Sequence, residues 1–325
     1  MASQFAEFHD ELRSVAGGVL AKDGSWSALA DAGWTGLEVA DDLGGAGAGF
    51  PEAAIICEEI GRAAASTSYL GGVLSVGALN MTAPGDTRDE LLGGIASGTI
   101  RTAVVLDGFQ LRDGKLYGGA EFVPDAEGAD RLLVLADDTL ALAPNGLIVE
   151  PQPVVDETRS LATVSADGAA AEVLGRVDVH ALRDRAAVAI ACDSLGVAQA
   201  MLDATVAYAK VRNQFGRPIG SFQAVKHACA DMLVSIAVSR QLVGAAVANG
   251  GPEAAAAASM AKAYVTSTAV EIAGKAMQLH GGIGYTWESG IHVYLKRAAL
   301  NRSLFGSPAA HRQELAERYK KSRSQ

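Results

Sequence analysis

"RNQFGRPIGSFQAVKHACADM", residues 212–232, decides how this sequence folds on paper. Before it, residues 185–211 repeat Ala, Val, Ile, Leu and Met at helical spacing, and the pattern resumes after it through residue 250. Between the two runs lie Gly216, Pro218 and Gly220, which stop a helix and let the chain turn. The stretch therefore reads as the joint between two long antiparallel helices. Two more follow, over 252–282, closing on Gly281 and Gly282, and over 288–305, closing before Gly306 and Pro308. Four long helices with short connections predict a four-helix bundle over 179–325.

Toward the N-terminus the texture changes. "RTAVVLDG" (101–108), "KLYGGAEFVP" (115–124), "DRLLVLAD" (130–137), "TLALAP" (139–144) and "GLIVEP" (146–151) are short β-rich runs separated by turn residues. They predict a small antiparallel barrel or sandwich over 101–178. Residues 1–100 return to helical spacing, in "SWSALADAGW" (25–34) and in 51–80, which reads as amphipathic helix. Between these two, Gly44, Gly45, Gly47 and Gly49 form a glycine-rich loop. No strand precedes it and the spacing is not that of a dinucleotide fingerprint, so it reads as a plain connection ahead of Pro51. The expected fold is α+β and mostly α, with domains at 1–100, 101–178 and 179–325.

Composition narrows the function. A net charge of −10 over 325 residues lacks the basic stripe a nucleic-acid surface needs. Cys57, Cys192 and Cys229 are scattered without metal-ligand spacing, so no metal is expected and buried free thiols are. "MASQFAEFHDELRSVAG" (1–17) is acidic and amphipathic rather than signal-like, and no apolar run approaches the length that spans a bilayer. A cytoplasmic, soluble protein with no membrane partner is expected; the basic end "ERYKKSRSQ" (317–325) reads as a solvated terminus.

Two stretches hold side chains suited to binding. Arg212 ends a long helix and is followed by Gln214 and Phe215 in the turn. A guanidinium there can clamp a diphosphate beside an aromatic ring, or it can simply cap the helix while Phe215 packs into the core. In "QLHGGIGYTWE" (278–288), Gly281, Gly282 and Gly284 free backbone amides for anionic oxygens, and Gln278 offers a donor and an acceptor. An ordinary glycine turn explains them equally well. His280 reads as a turn-stabilising hydrogen-bonder.

These two stretches resemble the C-terminal signatures of the acyl-CoA dehydrogenase family. "LEVADDLGGAGAGFPEAAIICEEIGRA" (37–63) is similar to the family's N-terminal helical segment, and "SGTIRTAVVL" (97–106) to its passage into the β domain. The resemblance implies a helical domain, a β domain and a four-helix bundle. It also implies α,β-desaturation of an acyl-CoA, with hydride passing to FAD bound across a subunit interface. The positions matching the family's grip on the ADP end are Arg212, Gln214, Phe215, Phe222, Gln278, Gly281 and Gly282.

The departures are as informative. Where the family has a Thr-Glu-Pro loop and a hydroxyl-bearing segment against the flavin, this chain has "VVLDGFQLRDGKLYGG" (104–119), then Phe122, Val123, Pro124 and Asp125. Where most members carry the catalytic Glu-Gly-Thr turn, it has "FGS", so Phe305 stands at the Glu position and Ser307 at the Thr. The alternative family position for the base falls near Ala186. Asp184 and Asp193 are the nearest substitutes, with Asp193 the fallback base; Glu288, after Trp287, matches a family position that is normally structural.

The pattern resembles the small subunit of heterotetrameric (α2β2) acyl-CoA dehydrogenases of actinobacterial steroid degradation. That resemblance implies a larger partner subunit supplying the flavin pocket and catalytic Glu, an acyl-CoA substrate, and an electron-transfer flavoprotein as acceptor. A homomeric enzyme with a relocated carboxylate, or a non-catalytic scaffold, are the other expectations.

Overall fold

The structure, a computed structural model, describes residues 5–322. It divides into two compact units, one running to Ile56 and over Ser66–Ala186, the other over Cys57–Ala65 and from Ala187 onward.

The first unit begins with helices α1 (His9–Leu20), α2 (Trp26–Asp31), α3 (Phe50–Ala63), α4 (Tyr69–Asn80) and α5 (Asp86–Ala96). Ser25 caps α2 by accepting from the Ala28 amide, and the Glu52 carboxylate reaches back to the Gly49 amide at the start of α3. The helical pattern over 51–80 is realised as two helices, and α4 is not amphipathic. It is buried on every side from Tyr69 to Leu79 and packs on the sheet, and a helix enclosed all round needs no polar stripe. The glycine-rich loop spends its amides internally. Gly45, Ala46, Gly47 and Ala48 donate to carbonyls of residues 36–40, so none is left to cradle a phosphate.

The sheet contains β1 (Thr102–Arg112), β2 (Lys115–Pro124), β3 (Arg131–Ala136), β4 (Thr139–Ala143), β5 (Ile148–Pro151), β6 (Leu161–Ala170) and β7 (Glu172–Arg176), in the order β5-β6-β2-β1-β3-β4-β7. Asp113 and Gly114, at φ 50° and 72°, make the two-residue turn between β1 and β2. One pairing departs from the antiparallel expectation: β1 and β3 are parallel. After β2 the chain crosses the foot of β1, where the Asp130 carboxylate accepts from the Arg101 amide at 2.8 Å, and β3 starts beside Thr102.

The second unit is the bundle. Helix α6 (Val179–Val211) runs through both units; after it come the two-residue strands β8 (Asn213–Gln214) and β9 (Arg217–Pro218), then α7 (Gln223–Ala248), α8 (Ala254–His280), α9 (Ile291–Ser303) and α10 (Pro308–Ser322). Helix α8 packs against α7, α9 and α10. The end of α3 meets α6 backbone to backbone. A Cβ at Gly61 would strike the Asp193 carbonyl, and one at Gly196 the Glu58 carbonyl. Helix α10, not anticipated as a separate element, starts with Pro308 while Ser307 Oγ accepts from the Ala310 amide. It takes in most of the basic terminus, whose residues 317–320 are exposed as expected; residues 323–325 and 1–4 lie outside the described residues. Length and composition alone would let α6 and α7 cross a membrane, contrary to the reading that no apolar stretch approaches that size. The apolar window of α6 is 83% buried within the protein, that of α7 only 28%.

Candidate functional site

The joint at 212–222 is a miniature hairpin. Asn213 pairs with Pro218 and Gln214 with Arg217, which puts Phe215 and Gly216 at the two central positions, at φ 52° and 77°. A turn of this hand suits glycine, and holding a phenylalanine there costs on the order of 1–2 kcal/mol. The ring gains nothing from burial in return, since Phe215 is 91% exposed. It meets the ring of Phe222 edge-on at 6.1 Å, and the Arg217 guanidinium covers Phe222 at 4.2 Å. Arg212 and Gln214 are exposed beside them. The core reading of Phe215 therefore fails. Arg217 was missed as a partner of this cluster, although its place across a two-residue turn from Gln214 is a signal in the sequence.

The second cluster sits at the end of α8. Gln278, Gly281 and Gly282 are exposed. Gly281 has φ 63°, ψ −142°, a conformation for glycine alone. At Gly282 neither backbone conformation nor packing demands glycine, because a Cβ there meets nothing within 4 Å. Gly284 differs: its Cβ would press on the Met277 carbonyl. His280 donates from Nδ1 to the Ala276 carbonyl at 2.8 Å and stacks on Tyr208 at 4.4 Å. Tyr208 in turn gives its carbonyl to the Arg212 amide. The His280–Tyr208 stack thus holds the end of α8 against the last turn of α6, so the two motifs occupy adjoining helix ends. His280 serves as the structural hydrogen-bonder its setting suggested.

Next to this cluster Tyr285 and Trp287 stand out into solvent. Trp287 is flanked by His292 edge-on and by the Lys296 ammonium at 4.8 Å.

No carboxylate stands at the family's base position. Phe305 is half-buried in a left-handed turn at φ 54°. Asp193, the fallback base, is a structural anion. Both of its oxygens are taken by Arg297, at 2.9 and 2.6 Å, and Asn301 donates to one of them at 2.6 Å. Asp193 is 3% exposed and Arg297 is 1% exposed. Both oxygens of Asp193 are thus engaged in a buried ion pair rather than directed at an open site. Glu288 is exposed on the short turn after Thr286, and Asp184 is half-buried near the start of α6. On the flavin side, Asp125 is buried and accepts from the Gly71 amide at 2.7 Å, and Phe122, at φ 56°, is partly exposed in a bulge of β2.

A sheet lying in sequence between two helical segments, the second a bundle, is a mostly helical α+β fold. Residues 179–320 match the acyl-CoA dehydrogenase C-terminal domain and residues 2–99 the N-terminal domain. The acyl-CoA dehydrogenase IpdE2 of Mycolicibacterium smegmatis is 35% identical over 284 residues, covering 87% of this chain and 84% of that protein. This chain belongs to the acyl-CoA dehydrogenase family. Among solved structures, a variant of the Tcur3481-Tcur3483 steroid ACAD is similar at a TM-score of 0.88 and 27% identity, covering 99% of this chain and 100% of that one. The ChsE4-ChsE5 complex from Mycobacterium tuberculosis follows at 0.86 and 25% identity, covering 97% of each chain.

Proposed function

We propose that this chain is one subunit of a heteromeric, FAD-dependent acyl-CoA dehydrogenase. In this reading Arg212, Gln214, Phe215, Phe222, Gln278, Gly281 and Gly282 hold the ADP end of FAD. A larger partner subunit supplies the flavin pocket and the catalytic Glu. The substrate is an acyl-CoA, with a steroid-derived thioester favoured by the kind of relatives the chain has, and an electron-transfer flavoprotein takes the electrons. Bound FAD supplies the hydride acceptor for α,β-desaturation.

The observation that carries the reading is Phe215. A strained backbone and an aromatic ring left in solvent are both costs to the isolated chain, and a ring-bearing ligand or a neighbouring subunit offsets them. Gly282 supports it, because the fold alone does not explain its missing side chain. The residues present fit the charged end of a dinucleotide: a guanidinium, an exposed ring and, at Gly282, a backbone with no side chain in the way, the Gly281 amide being spent on the Gln278 carbonyl. They do not fit the redox end. Pro124 brings no hydroxyl, Asp125 is committed to Gly71, and Phe305 cannot remove a proton. A complete homomeric enzyme would need a relocated base such as Asp193, and Arg297 holds that group.

The test is purification of the chain alone and co-expressed with a candidate larger subunit. The expected outcome is a colourless, inactive chain alone and a yellow complex that desaturates an acyl-CoA. Within the complex, Gly282→Ala should lower flavin content while leaving the melting temperature of the isolated chain unchanged or slightly raised. A flavin-loaded, active homo-oligomer would overturn the proposal, and so would undiminished flavin in the Gly282→Ala complex.

A further inference from the structure

Among the described residues, the side chains of Lys262 and Arg297 are sealed inside the bundle. Arg297 is neutralised by Asp193, but among the described residues no carboxylate meets Lys262, which is fully buried on α8. Its Nζ donates instead to the carbonyl oxygens of Gly306, at 2.7 Å, and Arg302, at 3.3 Å. One turn earlier on α8, Ser259 Oγ lies 3.1 Å from His311 Nδ1, and His311 Nε2 donates to the Phe305 carbonyl at 3.0 Å. Two consecutive carbonyls of the turn after α9 are therefore gripped, one from α8 and one from α10. That turn is strained: Phe305 is at φ 54° and Gly306 at φ 97°. Left-handed backbone at a phenylalanine persists only where its surroundings over-determine it, and these two contacts do so.

We propose that Lys262 and His311 form a clamp on the Leu304–Ser307 turn, and that the charge on Lys262 sets the strength of its grip. As an ammonium, Lys262 makes charge-assisted bonds to two carbonyls at the negative end of the α9 dipole. As a neutral amine it makes weaker ones, and Phe305 loses part of what holds it left-handed. Burial lowers Lys262 from 10.5 to about 8, with no charged neighbour contributing, so the change falls within a range the protein can meet. The ionisable side chains on the packed helices are otherwise placed. On α10, His311 binds Phe305, and Glu314 accepts from Ser259 at 3.0 Å and lies 3.5 Å from His311 Nδ1. On α9, Arg302 contributes its carbonyl and its side chain is exposed, while Arg297 is bound to Asp193. On α7, Lys226, His227 and Asp231 face solvent, and Arg240 is held by Glu58. Nothing in the clamp depends on a bound cofactor or a partner.

Carbon-detected NMR of the full chain tests it, by following the Arg302 and Gly306 carbonyl resonances from pH 6.5 to 10. Both should shift with a common midpoint near pH 8, and the Phe305 resonances should move with them. The transition should survive in His311→Asn and vanish in Lys262→Met. Should Lys262→Met fail to fold, Lys262→Arg, charged throughout, should abolish the transition equally. If neither variant folds, the wild-type and His311→Asn titrations decide alone. A midpoint close to that of an ordinary lysine, loss of the transition in His311→Asn, or its persistence in a folded Lys262 variant would overturn the clamp.

Discussion

Asp193 shows how little a single residue reveals before its partner is known. In sequence it is an acid in an apolar helix, close to the alternative family position for the base. In the structure its partner lies 104 residues further on, and the two form a bidentate pair out of reach of water. Breaking such a pair on one side leaves an uncompensated buried charge, costing about 3–5 kcal/mol. Asp193→Asn should therefore lose stability by that amount in urea unfolding. An unchanged urea midpoint together with lost turnover in the complex would restore Asp193 as a catalytic group. The exposed half of the candidate site was easier to read. The side chains of Arg212 and Gln214, and the lack of one at Gly282, suit a ligand, and all three face solvent. Phe215 was ambiguous because periodicity does not say whether a turn aromatic points inward. The backbone settles that: a two-residue loop with left-handed residues leaves the ring nowhere to bury.

At the scale of elements, the fold was legible wherever a local signal sufficed. Asp113–Gly114 announces its hairpin, and Gly281 ends α8. What escaped was set by distant contacts: the full burial of α4, the parallel pairing of β1 with β3, and the crossing of α3 with α6. That crossing supports a paired prediction. On a helix, replacing Gly by Ala gains roughly 0.5–1 kcal/mol from backbone entropy. At Gly244 on α7 a Cβ meets nothing within 4 Å, so Gly244→Ala should raise the melting temperature. At Gly196 the Cβ would enter the Glu58 carbonyl and the Arg62 amide, which are main chain and cannot rotate aside. Overpacking of this kind costs about 1–3 kcal/mol or more, which exceeds the propensity gain. Gly196→Ala should lower the melting temperature, and calorimetry of the two variants side by side checks the sign of each.

At the scale of the whole molecule, the feature left without an internal explanation is α7. Its apolar window is as apolar as that of the buried α6, yet most of it lies open. Leu233, Val234 and Val238 are among its exposed side chains. If the proposed heteromer forms, this exposed apolar face is the expected place for the larger subunit to dock. Leu233→Glu and Val234→Glu separate the uses of this face. Both positions are already in water, so the isolated chain should keep its melting temperature, surface substitutions typically costing within ~0.5 kcal/mol. The heteromer should fail to form, because a carboxylate buried in an apolar contact without a partner costs several kcal/mol. Size-exclusion chromatography of the co-expressed pair reads the result directly. A heteromer that assembles normally with both substitutions would remove α7 from the interface.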